Sequence, residues 1–312
     1  MIYYPVLIPT LNRYEHLKRL IESLGHNTHA KETVLVIGLD YPPSDKYVDG
    51  WKRIKEYLPT VTGFKDVKIL CAQENLGVRG NMSSLMNYVK TIGYDAYIVT
   101  EDDNEFSPCF LDYMNKALMK FKNDDRVVSV SGYTWDHIKI NSKKNVMLVT
   151  GMAAWGIGRW FDKEIYKDID YYFNILESFQ QSLFCACKMP SAFLTLLAMI
   201  RRGTKYGDAM SAVYCLINNK YELMPTYSLV RNWGDDGSGL HCGQESRNHL
   251  KAISKAKYFD LDEVDFTSDC NPYIRKVSKI KHVSRIIKAF LFYISTRINL
   301  NKYKNLYSEN LV

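Results

Sequence analysis

An α/β fold built on a mainly parallel sheet is what the sequence predicts, on three observations. Apolar strand-like runs alternate with amphipathic helical patterns over roughly the first hundred residues, which implies right-handed βαβ units. Three of those strands run into polar clusters, Thr10–Arg13, Asp40 and Glu101–Asp103, as happens where ligands bind at the carboxyl ends of parallel strands. Apolar residues make up 46% of 312, enough for one large core or a core with a helical appendix.

The elements follow in order. YYPVLIPTLNR (3–13) reads as a buried strand ending in a polar loop, and Leu17, Leu20, Ile21 and Leu24 recur at helical spacing behind it. TVLVIGLD (33–40) is a second buried strand, closed by the turn residues Tyr41-Pro42-Pro43-Ser44-Asp45. A helix around Asp49–Tyr57, a strand over 67–72, a helix from about Gly80 to Ile92 and the strand AYIVTEDD (96–103) complete the first half. Beyond Asp103 the pattern is mixed: a helix over Pro108–Phe121, a strand over 127–132, the aromatic segment GMAAWGIGRWF (151–161), then helices to about Asn218. The longest apolar stretch, Leu183 to Ile200, is broken by Lys188 and Pro190. It falls short of the ~20 residues a membrane span needs and reads as a buried helical hairpin. YELMPTYSLVRNWGDDGSGLHC (221–242) looks like a strand entering a Gly-rich loop.

Seven scattered cysteines without a CxxC pair point to reduced thiols rather than a disulfide framework or a zinc site. The opening MIYYPVLIPT has neither a basic n-region nor a small-residue cleavage site, so a cytoplasmic location is expected. The net charge of +7 is concentrated: residues 271–312 hold nine Lys/Arg against Glu309, and positions 1–270 are nearly neutral.

Glu101-Asp102-Asp103 places three carboxylates where a strand meets solvent. Their repulsion calls for a cation or hydrogen-bond donors, and a hard divalent ion, Mn²⁺ or Mg²⁺, suits oxygen ligands of this kind. The plain alternative is a solvated turn leading to a helix, with Ser107 as cap and Pro108 in the first turn.

Together these segments resemble the GT-A glycosyltransferases, particularly the family 2 enzymes of bacterial surface-polysaccharide synthesis such as those of capsule and O-antigen. The likeness runs through PVLIPTLNRYEHLKRLIESL (5–24), ENLGVRGNM (74–82), YIVTEDDNEFSPCFLDYM (97–114) and SLVRNWGDDGSGLHC (228–242). EDD is locally similar to the acidic motif of the N-acetylglucosaminyltransferase I group. The resemblance implies a Rossmann-like catalytic domain over 1–270, with a nucleotide-binding half (1–103) and an acceptor half (104–270). It implies a metal-dependent, inverting transfer of a hexose or N-acetylhexosamine from a nucleotide sugar, UDP-sugars favoured, to a glycan or lipid-linked glycan.

By the same resemblance Pro9, Thr10, Asn12 and Arg13 would hold the nucleotide, Asp40 its base, and Asn75, Gly77 and Arg79 would lie near base and phosphates. EDD would be the DXD motif, with Glu101 and Asp102 toward the donor and Asp103 on the metal. His241 would close on the metal from the Gly-rich loop, and Asp208 would be the general base, against the alternative of a helix N-cap. Gly151 and Trp155 would shape the sugar and acceptor site, with Trp155 as stacking platform and Trp160 in the core. The rivals are a nucleotidyltransferase making nucleotide sugars, which needs a Gly-rich loop that PTLNRYEH lacks, and a non-catalytic, membrane-bound module for sugar nucleotides or glycans.

The tail, 271–312, is expected to form a basic amphipathic helix. Val277, Ile280, Val283, Ile287, Phe290, Leu291, Ile294 and Ile298 recur every three or four residues, with Lys and Arg on the other face. Such a helix over 273–306 either docks on an anionic membrane surface at the inner face of the plasma membrane or packs on the catalytic domain. No nucleic-acid motif is present, and no nucleic-acid partner is expected.

Overall fold

The computed structural model describes residues 1–135, 145–151, 153, 155–238, 253 and 279–309. His241 and the start of the tail lie outside these.

The first half follows the strand and helix alternation read from the sequence. β1 (Val6–Thr10), β2 (Val34–Leu39), β3 (Asp66–Cys71) and β4 (Ala96–Val99) are joined by α1 (Tyr14–Gly25), α2 (Val48–Tyr57) and α3 (Gly77–Thr91). β5 (Asn104–Phe106), α4 (Phe110–Lys120), β6 (Val127–Ser131), β7 (Val146–Val149) and β8 (Ile157–Trp160) follow. These strands and β9 (Tyr221–Pro225) form an eight-stranded sheet in the order β3-β2-β1-β4-β8-β6-β9-β7, with β5 outside it. β3 to β4 run parallel, β8 runs against both β4 and β6, β9 is parallel to β6, and β7 is antiparallel at the edge. The architecture is therefore a mostly parallel, mixed α/β sheet flanked by helices, with a helical region at the C-terminal end.

Period-2 alternation splits β1 between two cores. Val6 and Ile8 join Leu17, Leu20 and Leu24 of α1, while Leu7 meets Leu85 and Val89 of α3 on the opposite face. Parallel neighbours bury both faces, which is why VLIPT and VLVIGL read as continuous apolar runs. β5 pairs antiparallel with β10 (Val230–Asn232) in a short separate ribbon, Asn104 opposite Asn232.

Between β8 and β9 the chain builds a second, helical core from α5 (Ile169–Glu177), α6 (Phe179–Lys188), α7 (Pro190–Arg202) and α8 (Gly207–Ile217). The apolar stretch around Leu183 to Ile200 forms the α6–α7 pair, with Pro190 opening α7 and Gly203 closing it at φ 66°. α9 (Lys279–Ile298) and α10 (Leu300–Glu309) belong to this core through Ala289, Tyr293, Leu300 and Tyr307. Arg201 fastens α9 by donating to the Phe292 carbonyl at 3.0 Å and to Thr296 Oγ1 at 2.9 Å.

α9 nevertheless keeps a second apolar stripe in solvent: Ile280, Val283, Ile287, Leu291 and Ile298 are all exposed. The packing face and the outward stripe are distinct sides of one helix. Phe290, expected on the same stripe as Ile287, instead meets Phe179 of α6 edge-on. Among the described residues, no helix is long and apolar enough to cross a membrane.

Candidate functional site

The polar residues at the carboxyl ends of β1, β2 and β4 come together in space. Thr10 closes β1, Asp40 follows β2 with its N–H on the Thr10 carbonyl at 3.0 Å, and Thr100 leads from β4 into Glu101-Asp102-Asp103. Thr10 Oγ1 donates to Asp102 Oδ2 at 2.8 Å. Arg13 reaches back from the loop after β1, pairing with Asp102 and, at 2.7 Å, with Asp103 Oδ2. Both aspartates are only 5% exposed. A guanidinium bridging two buried carboxylates is a strong, geometrically fixed contact. Despite the cost of burial, the two aspartates raise the pKa of Arg13.

Three residues absent from the sequence reading complete this cluster. Asn232 of β10 donates through Nδ2 to Asp103 Oδ1 at 2.7 Å and to Asn104 Oδ1 at 3.0 Å. The Trp233 N–H donates to the Asp103 carbonyl at 2.8 Å. A Cβ on Gly234 would stand 2.4 Å from Asp103 Oδ2, so only glycine fits against that carboxylate. The signal for all three was the segment RNWGDDG, whose register against β5 cannot be read from three-residue strands.

The charge at this point is unbalanced. Three carboxylates face one guanidinium, leaving a formal excess of two negative charges. Desolvation by the protein packed round an otherwise exposed side chain, with repulsion from Asp103, pushes Glu101 up to about 7 against Arg13, with Asp102 adding to the rise and a hydrogen bond from Trp155 opposing it. Burial likewise raises Asp102 despite Arg13. The donor set is all oxygen, and each carboxylate oxygen keeps a second lone pair beside its hydrogen bond. These features fit a hard divalent ion of the kind held by one or two carboxylates and substrate phosphates. Among the described residues, no group of three metal-ligating side chains gathers, and His241 lies outside them.

The other expected donor residues flank the cluster. Asp40 is buried and accepts from the Leu76 N–H at 2.8 Å and from Asn75 Nδ2 at 3.3 Å, so it shapes the loop that enters α3. Gly77 opens α3 at φ 66°. Arg79 turns away from the acids and donates to the Lys205 carbonyl at 3.1 Å. Asn12 meets α2 through Gly50, where a Cβ would stand 2.1 Å from the Asn12 carbonyl oxygen. Pro9, in register with Gly38, lies just before this loop.

The crossover from Gly151 to Gly156 links the cluster to the helical half. Gly151 is buried at φ 144°. Trp155 packs edge-on against Tyr133 at 4.6 Å and donates to Glu101, while Trp160 is buried and donates to the Leu118 carbonyl at 3.1 Å. Two residues before Trp155, the Ala153 N–H donates to Glu222 Oε1 at 3.0 Å, and Ser129 Oγ donates to Oε2 at 2.9 Å. Glu222 is fully buried and is pushed up to about 8 by that burial, against those two hydrogen bonds and Arg159. A strand reading of YELMP gives no sign of it, since a glutamate there is expected to face water.

Asp208 sits in the first turn of α8. The protein around it raises its pKa, against Arg159, and its charge is felt by Glu222. Asp208 thus lies within electrostatic reach of Glu222, which is tied to the crossover through the Ala153 N–H.

No family model matches the chain, and no curated protein matches it. Among solved structures it is similar to S. aureus TarS, with 10% identity over 75% of this chain and 37% of that one, at a TM-score of 0.38. TarS 1–349 in complex with UDP gives 11% identity over 73% of this chain and 60% of that one, at 0.37. The mannosyltransferase PcManGT from Pyrobaculum calidifontis, in complex with GDP-Man and Mn²⁺, gives 15% over 51% and 44%, at 0.33. The chain thus spans well under two thirds of the TarS and PcManGT chains first matched. Its own site carries the functional reading.

Proposed function

We propose that the protein is a glycosyltransferase of the GT-A type, moving a sugar from a nucleotide sugar, UDP-sugars favoured, to a glycan or lipid-linked glycan with inversion. The observation that carries this is the cluster of three carboxylates at the carboxyl ends of β1 and β4, beside the Asp40–Asn75 hydrogen bond at the end of β2. Such an arrangement receives a base and a diphosphate side by side.

Asp103, with Glu101, would hold a Mn²⁺ or Mg²⁺ ion, joined by His241 from outside the described residues. Such an ion would supply positive charge to a departing nucleoside diphosphate. Thr10, Arg13 and Asn232 fix the carboxylates so that their geometry is set before the donor arrives. Trp155 holds Glu101 and offers its ring to the sugar. Asp208, held above the ordinary aspartate range by the protein around it, would take the acceptor proton. A single base without a second carboxylate nucleophile gives inversion.

The outward stripe of α9, flanked by Lys281 and Lys288, supports peripheral attachment to an anionic membrane surface at the inner face of the plasma membrane. Residues 1–270 and 271–312 then act as catalytic domain and membrane-facing tail.

A thermal-shift panel of nucleotide sugars with Mn²⁺ tests the reading. A rise in Tm with one UDP-sugar is expected, and the rise should vanish in Asp103→Ala. No shift with any nucleotide sugar would overturn it.

A further inference from the structure

A cavity of about 200 Å³ lies between α6, α7, α8 and α9, lined by Asp208 together with Lys188, His282 and Arg285. We propose that this cavity binds the phosphate or diphosphate of the acceptor, so that the acceptor is a phosphate-bearing glycan; the acceptor role rests on the transferase reading above.

Charge narrows the ligand. Lys188 at the end of α6 and the pair His282 and Arg285, one turn apart on α9, converge on a single acid, Asp208. Lys188 and Arg285, two cations from distant parts of the chain, thus line one cavity with a single acid, a lining that suits an anionic group. The first turns of α7 and α8 also face the cavity, through Ser191 and Asp208, and contribute the positive ends of two helices.

Position assigns the anion to the acceptor. The donor side is built at the ends of β1, β2 and β4, whereas this cavity contains Asp208, the group that meets the acceptor hydroxyl. A phosphate on Lys188, His282 and Arg285 sets the attached sugar against Asp208. The exposed apolar stripe Ile280, Val283, Ile287 and Leu291 lies on the side of α9 away from His282 and Arg285, so it is separate from the cavity.

Isothermal titration of the full chain, with UDP and Mn²⁺ present to occupy the donor side, tests the proposal using farnesyl diphosphate, farnesol and inorganic pyrophosphate. Farnesyl diphosphate is expected to bind and farnesol not to bind. Lys188→Gln and Arg285→Gln should each weaken binding roughly tenfold, the scale of one lost charge-assisted hydrogen bond. Farnesyl diphosphate binding more tightly than pyrophosphate identifies a lipid-linked acceptor, and equal binding identifies a soluble phosphorylated one; both sustain the anion site. Unchanged binding by the variants, or farnesol binding as well as its diphosphate, overturns it. Circular dichroism checks the fold, and Lys188→Gln, at an exposed residue, carries the test where Arg285→Gln does not fold. Binding needs no turnover, so the outcome is separate from the thermal-shift result for the donor.

Discussion

Replacing Glu222 with glutamine should stabilise the protein at alkaline pH and leave it unchanged in acid. The carboxyl is fully buried, contacts the Ala153 N–H at 3.0 Å and Ser129 Oγ at 2.9 Å, and is pushed from 4.5 up to about 8. Between those two values the folded chain holds a proton that the unfolded chain has released, so stability falls as pH rises across the window. Each unit is worth 1.36 kcal/mol, and the full window about 5 kcal/mol. Glutamine keeps an oxygen for Ala153 and offers an amide N–H to Ser129, but carries no proton to lose. Wild type and Glu222→Gln should then agree within about 1 kcal/mol at pH 5 and diverge by roughly 3–5 kcal/mol in favour of the variant at pH 8. Urea unfolding at pH 5, 6, 7 and 8 measures this directly. The raised carboxyls of Glu101 and Asp102 are common to both proteins and cancel in the difference. Parallel profiles would refute the reasoning, because they would mean Glu222 is already ionised in the folded state.

The acidic cluster yields further expectations. Arg13→Gln leaves Asp102 and Asp103 buried without their cation and should cost about 3–5 kcal/mol in unfolding experiments at pH 7, with Mn²⁺ recovering more stability in the variant than in wild type. Gly234→Ala drives a Cβ to 2.4 Å from Asp103 Oδ2 and should cost about 1–3 kcal/mol, with weaker Mn²⁺ binding in a metal titration. EDTA should abolish turnover of a nucleotide sugar and Mn²⁺ or Mg²⁺ should restore it; turnover indifferent to chelator contradicts the metal role. Truncating the tail would remove Ala289 and Tyr293 from the helical core, so point changes are the sharper probe of membrane attachment. Ile287→Asp with Leu291→Asp, both at exposed positions, should abolish flotation with anionic vesicles and leave the melting temperature close to wild type.

The first half of the fold was legible because its signals are local. Leu17, Leu20, Ile21 and Leu24 mark the buried face of α1, and all four are buried. The pairing of β1 with β2 and β4 follows from apolar runs long enough to be covered on both sides. Of the site, the sequence shows the polar ends of the strands, and the structure brings Thr10, Arg13, Asp102 and Asp103 into direct contact. What it hides are contacts made across long separations by short elements. Asn232 reaches Asp103 only because β10 pairs with β5, and Glu222 is tied to a crossover whose path no local pattern fixes. α9 was legible as amphipathic but not as two-sided, since spacing alone does not tell a packing stripe from an exposed one when both are apolar.

Release of nucleoside diphosphate from a panel of UDP-sugars with Mn²⁺, by wild type and by Asp208→Asn, tests the central claim most directly. The account predicts free UDP from wild type with at least one sugar, and a rate lower by ~10²–10⁴-fold in Asp208→Asn. Pyrophosphate in place of UDP, or an Asp208→Asn rate equal to wild type, would contradict it.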